Sequence, residues 1–209
     1  MSRIHDNSHF GEFAMSRILP KPATKYPWYA RILFWMQKRR YGQALEPAML
    51  WARSPRVFLG VATLYGALDR KNSPLDPVLR ALITVRVSQI NWCTFCVDIN
   101  SASVLKRGGT EEKLNTLHQF RTSPHFSDKE KVALEYAEAI TITDNQVTDE
   151  LFSHIRQHFD DDALVELTGL IAFQNLSSKF NASLDVQPQG FCRIAPQPSA
   201  SEITKYSSN

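Results

Sequence analysis

Long apolar runs, blocks of positive charge and strand-like patterns are scarce in this chain, and it has only three cysteines. No stretch approaches the roughly 18 apolar residues that a membrane-spanning helix needs, and the first residues lack the apolar core of a signal peptide. A net charge of +3 without a long Lys/Arg block does not indicate nucleic-acid binding. The sequence therefore predicts a cytoplasmic protein with neither a nucleic acid nor a membrane as its partner.

The scarcity of glycine and of strand-like alternation predicts an all-α fold. The 209 residues include 8 glycines, and apolar residues recur at helical spacing through most of the chain. A chain of this length suits one domain with its own hydrophobic core. We expect a flexible N-terminal arm over residues 1–24, a single helical domain over 25–186 and a flexible, Pro/Ser-rich tail over 187–209.

The first predicted helix, an N-terminal extension between Pro27 and Gly42, carries an aromatic stripe. Its members share one helix face and are Trp28, Ile32, Trp35, Met36 and Arg39. A basic amphipathic helix on a membrane would show this pattern, but such a stripe more often packs on the body of the protein or on a neighbouring subunit. The second interpretation is favoured, and the size of the stripe predicts a homo-oligomer.

Capping residues divide the rest of the chain into further helices. Asp76 opens a helix that is apolar nearly all round, and a second helix follows from about residue 93 to 107. A long last helix covers residues 160 to about 184. Glu166 and Thr168 interrupt its apolar pattern, so both need polar partners if they are buried.

Two of the three cysteines, Cys93 and Cys96, form a Cys-x-x-Cys motif at the predicted start of a helix. The free N–H groups and the partial positive charge of a helix N-terminus stabilise a thiolate, which is the reactive form of cysteine. Cysteines at i and i+3 in that turn also lie close enough to form a disulfide. The motif favours a redox-active dithiol over a pair of packing residues.

A metal site is the other common use of this motif. A structural zinc site needs four nitrogen or sulfur ligands, usually from two such pairs. The third cysteine, Cys192, lies far away in the tail, and His154 and His158 have charged neighbours that favour a solvated helix face. We therefore expect no metal and no other cofactor.

The segment around the cysteines reads LRALITVRVSQINWCTFCVDINSASVLKRGG, and FSDKEKVALEYAEAIT and DELFSHIRQHFDDDALVELTGLIAFQNLSSKFNASLDV follow it. Together they resemble the carboxymuconolactone decarboxylase family, in its AhpD-like alkylhydroperoxidase branch, over about residues 47–186. The resemblance implies an all-α fold, assembly into trimers or hexamers, and peroxidase or disulfide-reductase activity at the Cys-x-x-Cys motif. It also implies a hydroperoxide substrate and an external dithiol donor as partners.

In that family one cysteine attacks the peroxide and becomes a sulfenic acid, which condenses with its neighbour, while a Glu and a His relay protons. Cys93 and Cys96 match the two cysteines. The Glu position falls on Ala81 and the His position on Asn100, so both relay residues are absent. Candidates for a replacement relay or for supporting residues are Asn100, Asp98, His118, His125 and Tyr136.

The leading hypothesis is a thiol-dependent antioxidant protein that reduces hydroperoxides at Cys93 and Cys96. One alternative is a non-enzymatic, redox-sensing oligomer. Another is a lactone decarboxylase-like enzyme, in which Arg80 or Arg86 would bind a substrate carboxylate.

Overall fold

The computed structural model describes residues 16–194. The predicted flexible arm and tail fall partly outside these residues, at 1–15 and 195–209. The described part contains nine α-helices, two short 3₁₀ helices and no strand, which confirms the all-α prediction. The α-helices are α1 (Trp28–Tyr41), α2 (Glu46–Trp51), α3 (Pro55–Leu68), α4 (Pro77–Ile90), α5 (Thr94–Lys106), α6 (Glu111–Asn115), α7 (Asp128–Thr141), α8 (Asp149–Ile155) and α9 (Asp161–Ser183).

Helix α4 forms the centre of the molecule, packed against α5, α7 and α9. Its N-terminus is fixed by Asp76, whose carboxylate accepts hydrogen bonds from the backbone N–H groups of Val78 and Leu79, both at 2.9 Å. Ten of its fourteen residues are buried, so the expectation of a helix that is enclosed nearly all round is confirmed. Because α4 leads directly into the cysteine motif, this core sets the position of the motif.

The chain turns sharply between α4 and α5. Trp92 has a φ angle of 58°, which is unusual for a residue with a large side chain, and the N–H of Cys93 donates to the carbonyl oxygen of Ser88 at 3.0 Å. At the other end of α5, a Cβ atom at Gly109 would collide with the side chain of Val104 in α5 and lie only 3.0 Å from that of Val78 in α4. The two helices are thus held against each other at both ends of α5.

The long helix α9 crosses the core and supplies partners for its own polar residues. The carboxylate of Glu166 pairs with Arg70 and accepts a hydrogen bond from Ser73 at 2.9 Å. The hydroxyl group of Thr168 donates to the carbonyl oxygen of Leu164 at 2.7 Å and also contacts the hydroxyl group of Tyr136. Both residues therefore have the partners that the sequence requires.

Helices α1 and α3 form a second, smaller core through Ala30, Phe34 and Phe58. The aromatic stripe of α1 points away from this core: Trp28 is 71% exposed and Trp35 is 54% exposed. Within residues 16–194, the stripe therefore does not pack on the body of the chain. No helix within residues 16–194 is long and apolar enough to cross a bilayer.

Candidate active site

Cys93 and Cys96 lie in the first turn of α5, as their spacing predicts. Cys93 is the N-cap residue, and its sulfur accepts a hydrogen bond from the backbone N–H of Cys96 at 3.2 Å. The two sulfurs are joined as a disulfide, with the Cα atoms 5.2 Å apart. The pair thus closes a disulfide within one helical turn, which is the arrangement that a dithiol–disulfide cycle requires.

The disulfide is buried in an apolar surrounding. Cys93 is 1% exposed and Cys96 is 2% exposed. Leu50 of α2, Phe95 of α5 and Val186 beyond α9 complete the buried cluster around them. Such a shell disfavours the charged thiolate, so any hydrogen-bond donor that reaches a sulfur has a large effect on its chemistry.

One side chain from another helix donates to the disulfide. The Nδ2 group of Asn181, in α9, lies 3.2 Å from the sulfur of Cys96, and Asn181 is 1% exposed. The sequence alone does not single out this residue. The sequence does contain a pattern that points to buried polar residues here, because Gln174, Ser178 and Asn181 recur at helical spacing within an apolar helix. The structure shows that all three are buried.

Asp98, one of the predicted supporting residues, holds the segment that covers the disulfide. We call residues 184–194 the strap. The carboxylate of Asp98 accepts hydrogen bonds from the backbone N–H groups of Gln189 at 2.9 Å, Gly190 at 2.8 Å and Cys192 at 2.7 Å. Asp98 is 2% exposed, and the strap carries Val186 into the cluster around the sulfurs. The described contacts of this carboxylate are with the strap rather than with the sulfurs.

The two positions of the family relay, Ala81 and Asn100, line one small cavity of about 50 Å³ between α3, α4, α5 and α9. The Nδ2 group of Asn100 lies 3.4 Å from the hydroxyl oxygen of Ser88, which also accepts from Gln174 at 2.9 Å. Neither an alanine nor an asparagine acts as a base near neutral pH. The cavity therefore holds polar groups but no relay at these two positions.

The remaining candidates lie elsewhere. His118 and His125 are exposed, in the segment between α6 and α7. The hydroxyl group of Tyr136 is 2.9 Å from that of Thr168, and its ring belongs to the central core. Within residues 16–194, none of these three side chains has a hydrogen bond to either sulfur.

The two arginines considered as carboxylate binders are engaged within the chain. Arg86 and Glu138 form a buried ion pair, with nitrogen and oxygen atoms 2.6 Å apart. Arg80 donates to the carbonyl oxygens of Leu68 and Arg70 at 2.9 and 3.2 Å. Burial and the neighbouring Arg107 lower the pKa of Arg80. These contacts give no support to a carboxylate-binding role.

Cys192, the third cysteine, lies on the strap and is not part of a disulfide. Burial is the main reason why the pKa of its thiol is raised, and the negative charges of Asp98 and Glu111 add to the effect. Cys192 is therefore less ionised than an ordinary thiol at neutral pH. It can serve as a reference thiol when the reactivity of Cys93 and Cys96 is tested.

The sequence has informative relatives. The profile of the carboxymuconolactone decarboxylase family matches residues 55–139, which include both α4 and the cysteine motif. The Escherichia coli K12 protein YnjA is 47% identical over 173 residues, which cover 83% of this chain and 95% of YnjA.

Solved structures show the same fold. A peroxidase-related protein from Ralstonia eutropha JMP134, described as an alkylhydroperoxidase AhpD core, superposes with a TM-score of 0.76 at 20% identity, covering 89% of this chain and 99% of that one. ATU0492 from Agrobacterium tumefaciens, a putative antioxidant defence protein AhpD, gives a TM-score of 0.62 at 28% identity, covering 66% of this chain and 94% of its own. The helical arrangement is therefore AhpD-like.

Proposed function

The chain belongs to the carboxymuconolactone decarboxylase family, and on that premise we propose that it is a thiol-dependent antioxidant peroxidase. Its Cys93–Cys96 pair would cycle between dithiol and disulfide while reducing hydroperoxides. The observation that carries the proposal is the disulfide in the first turn of α5. The antioxidant description of the structural relative ATU0492 also supports it.

The chemistry needs two steps at the sulfurs. A cysteine thiolate attacks one peroxide oxygen, the O–O bond breaks, and the alcohol leaves after taking up a proton; the cysteine becomes a sulfenic acid. The second thiol then attacks the sulfenic sulfur, which releases water and forms the disulfide. An external dithiol supplies the two electrons that restore both thiols and is itself oxidised to a disulfide. No bound cofactor takes part in this cycle.

The missing relay predicts a slow enzyme. General acid–base groups are typically worth about 10²–10⁴-fold in rate, and Ala81 and Asn100 supply neither an acid nor a base. The N–H groups that reach the sulfurs, from the Cys96 backbone and from Asn181, compensate in part because they stabilise a thiolate. We therefore expect measurable turnover that is well below that of a relay-equipped enzyme.

The test is reduction of tert-butyl hydroperoxide with dithiothreitol as the electron donor. Wild type is compared with Cys93→Ser and Cys96→Ser, and Cys192→Ser is the matched control because it removes a thiol outside the disulfide. We expect the first two variants to lose the protein-dependent rate and the control to keep it. Equal rates in all four proteins would refute the proposal.

We further propose that the working form is a homo-oligomer, a trimer or a hexamer as the family resemblance implies. Support comes from α3, an apolar helix on which Val57, Leu59, Leu64 and Tyr65 are each between 46% and 49% exposed. These side chains and the stripe of α1 are exposed apolar groups of the kind that contacts between subunits bury.

A further inference from the structure

Asn181 is a buried amide that contacts the redox centre from another helix. Its Nδ2 group donates to the Cys96 sulfur at 3.2 Å. Its Oδ1 atom is buried and has no hydrogen-bond partner within residues 16–194. A buried, unpaired amide oxygen is costly, so its presence beside a redox-active sulfur indicates a role in another state of the disulfide.

The two sulfurs receive different donors. Cys93 accepts the backbone N–H of Cys96, which comes with the start of the helix. Cys96 accepts a side-chain N–H from α9, which depends on one residue. An N–H donor stabilises a thiolate more than a thiol or a disulfide, because the negative charge strengthens the hydrogen bond. In this apolar shell, water does not mask that difference.

We propose that Asn181 is a positioning residue that stabilises the thiolate form of Cys96 and makes Cys96 the leaving sulfur when the disulfide is reduced. The inference rests on the dithiol–disulfide cycle of the proposed function. The donor thiolate attacks the sulfur of Cys93, the S–S bond breaks, and its electron pair remains on Cys96, which leaves as a thiolate. The second thiolate of the donor then attacks the donor sulfur of the mixed disulfide and releases Cys93.

The unpaired oxygen fits the same cycle. A disulfide has no S–H group to donate, so Oδ1 has no donor there. Once Cys96 takes up a proton, half a turn of the amide about its last side-chain bond brings Oδ1 to the sulfur as an acceptor. The amide thus forms a hydrogen bond with Cys96 both as thiolate and as thiol. Both reduced forms are therefore stabilised relative to the disulfide.

The test measures the ionisation of Cys96 directly. In a Cys93→Ser/Cys192→Ser background Cys96 is the only thiol, and its rate of alkylation by iodoacetamide is followed from pH 5 to pH 11. Asn181→Leu removes the donor while keeping the number and the branching of the side-chain heavy atoms. At pH values below the midpoint, we expect Asn181→Leu to lower the alkylation rate of Cys96 about tenfold. This corresponds to a rise of one unit in the pKa of Cys96, since a hydrogen bond to a charged group is worth that much or more.

Two controls separate this effect from loosening of the structure. Asn175→Ala removes another amide of α9, one that bonds to Thr141 and Asn91 rather than to sulfur. In the Cys96→Ser/Cys192→Ser background, we expect Asn181→Leu to leave the pH dependence of Cys93 alkylation unchanged. Asn181→Ala repeats the test if the leucine variant does not fold.

An unchanged midpoint for Cys96, or a rate that rises equally at every pH, would overturn the inference. The titration uses no peroxide, so it distinguishes failure of this inference from failure of the proposed function. A protein without peroxidase activity can still show the shifted midpoint, and an active peroxidase can lack it.

Discussion

Glu166 links α9 to the segment that follows α3, through Arg70 and Ser73. The hydrogen bond from Arg70 is the main cause that lowers the pKa of this carboxyl group, with Ser73 and the charge of Arg80 adding to it. A carboxyl group with a lowered pKa in the folded state stabilises the fold above its unfolded pKa. That contribution is lost as the pH falls through the folded pKa.

Glu166→Gln is therefore expected to lower the free energy of unfolding at pH 7 by at most about 1 kcal/mol, because Arg70 is partly exposed and the ion pair is screened. The difference from wild type shrinks as the pH falls below the ordinary pKa of a glutamate, since the unfolded chain takes up a proton there and the folded carboxylate does so only at lower pH. Urea unfolding at pH 7 and pH 3 measures both values. Asp144→Asn, at an exposed loop position, is the control, and an equal loss at both pH values would contradict the expectation.

Single residues also show what the sequence alone can predict. The cap at Asp76 and the helix start at Cys93 depend on residues close in the chain, and both were predicted. Asn181 was missed because its role depends on a contact with Cys96 across 85 positions. Helical spacing indicates that a polar residue of α9 is buried, but only the packing of α9 on α5 shows which group it meets.

At the scale of elements, the strap packs over the disulfide, and we expect it to limit access to the sulfurs. Asp98 holds it through three backbone N–H groups, and each is a charge-assisted hydrogen bond. Asp98→Asn replaces one acceptor oxygen by an NH₂ donor, which faces N–H groups that are themselves donors. The strap should open more often in this variant, while the disulfide itself is unchanged.

We expect oxidised Asp98→Asn protein to be reduced by dithiothreitol about tenfold faster than wild type or more, since even one charge-assisted hydrogen bond is worth about 1.5 kcal/mol. The measurement is acid quenching followed by mass analysis, at a temperature where circular dichroism shows both proteins folded. Asp185→Asn is the matched control, because Asp185 is exposed on the strap and, within residues 16–194, its carboxylate accepts a hydrogen bond from Gln187 alone. Reduction of Asp98→Asn at the wild-type rate would show that the strap does not limit access.

The contacts of the strap could not be predicted from its composition. Prolines and serines after residue 186 predict a flexible tail, yet residues 187–194 lie against the body through Asp98. The anchor is a buried carboxylate more than 90 positions earlier in the chain. Composition describes the segment itself and contains no information about a distant acceptor.

At the scale of the whole molecule, α1 and α3 expose large apolar side chains, which the proposed homo-oligomer would bury. The sequence predicts that the α1 stripe is buried somewhere, but whether it faces the body depends on the angle at which α1 meets α3. The structure turns Phe34 toward Phe58 and leaves Trp28 and Trp35 in solvent. Burial of these side chains against a second copy would remove a large apolar area from water.

Light scattering after size exclusion gives the mass in solution, and we expect a multiple of the 23.8 kDa chain. Leu64→Glu places a charge on the exposed face of α3, where Leu64 is 46% exposed. In an interface it would have to bury an unpaired carboxylate, so the variant should shift toward a single chain. Val147→Glu, in the loop between α7 and α8, tests whether a new charge alone has that effect.

The same measurement on oxidised and reduced wild type separates a peroxidase assembly from a redox-sensing oligomer. The disulfide spans four residues of one helix, at the buried end of α5, so its reduction does not require α1 or α3 to move. We therefore expect the same mass in both redox states. A mass that changes with reduction would favour the sensing alternative, and a single-chain mass for wild type in both states would refute the oligomer.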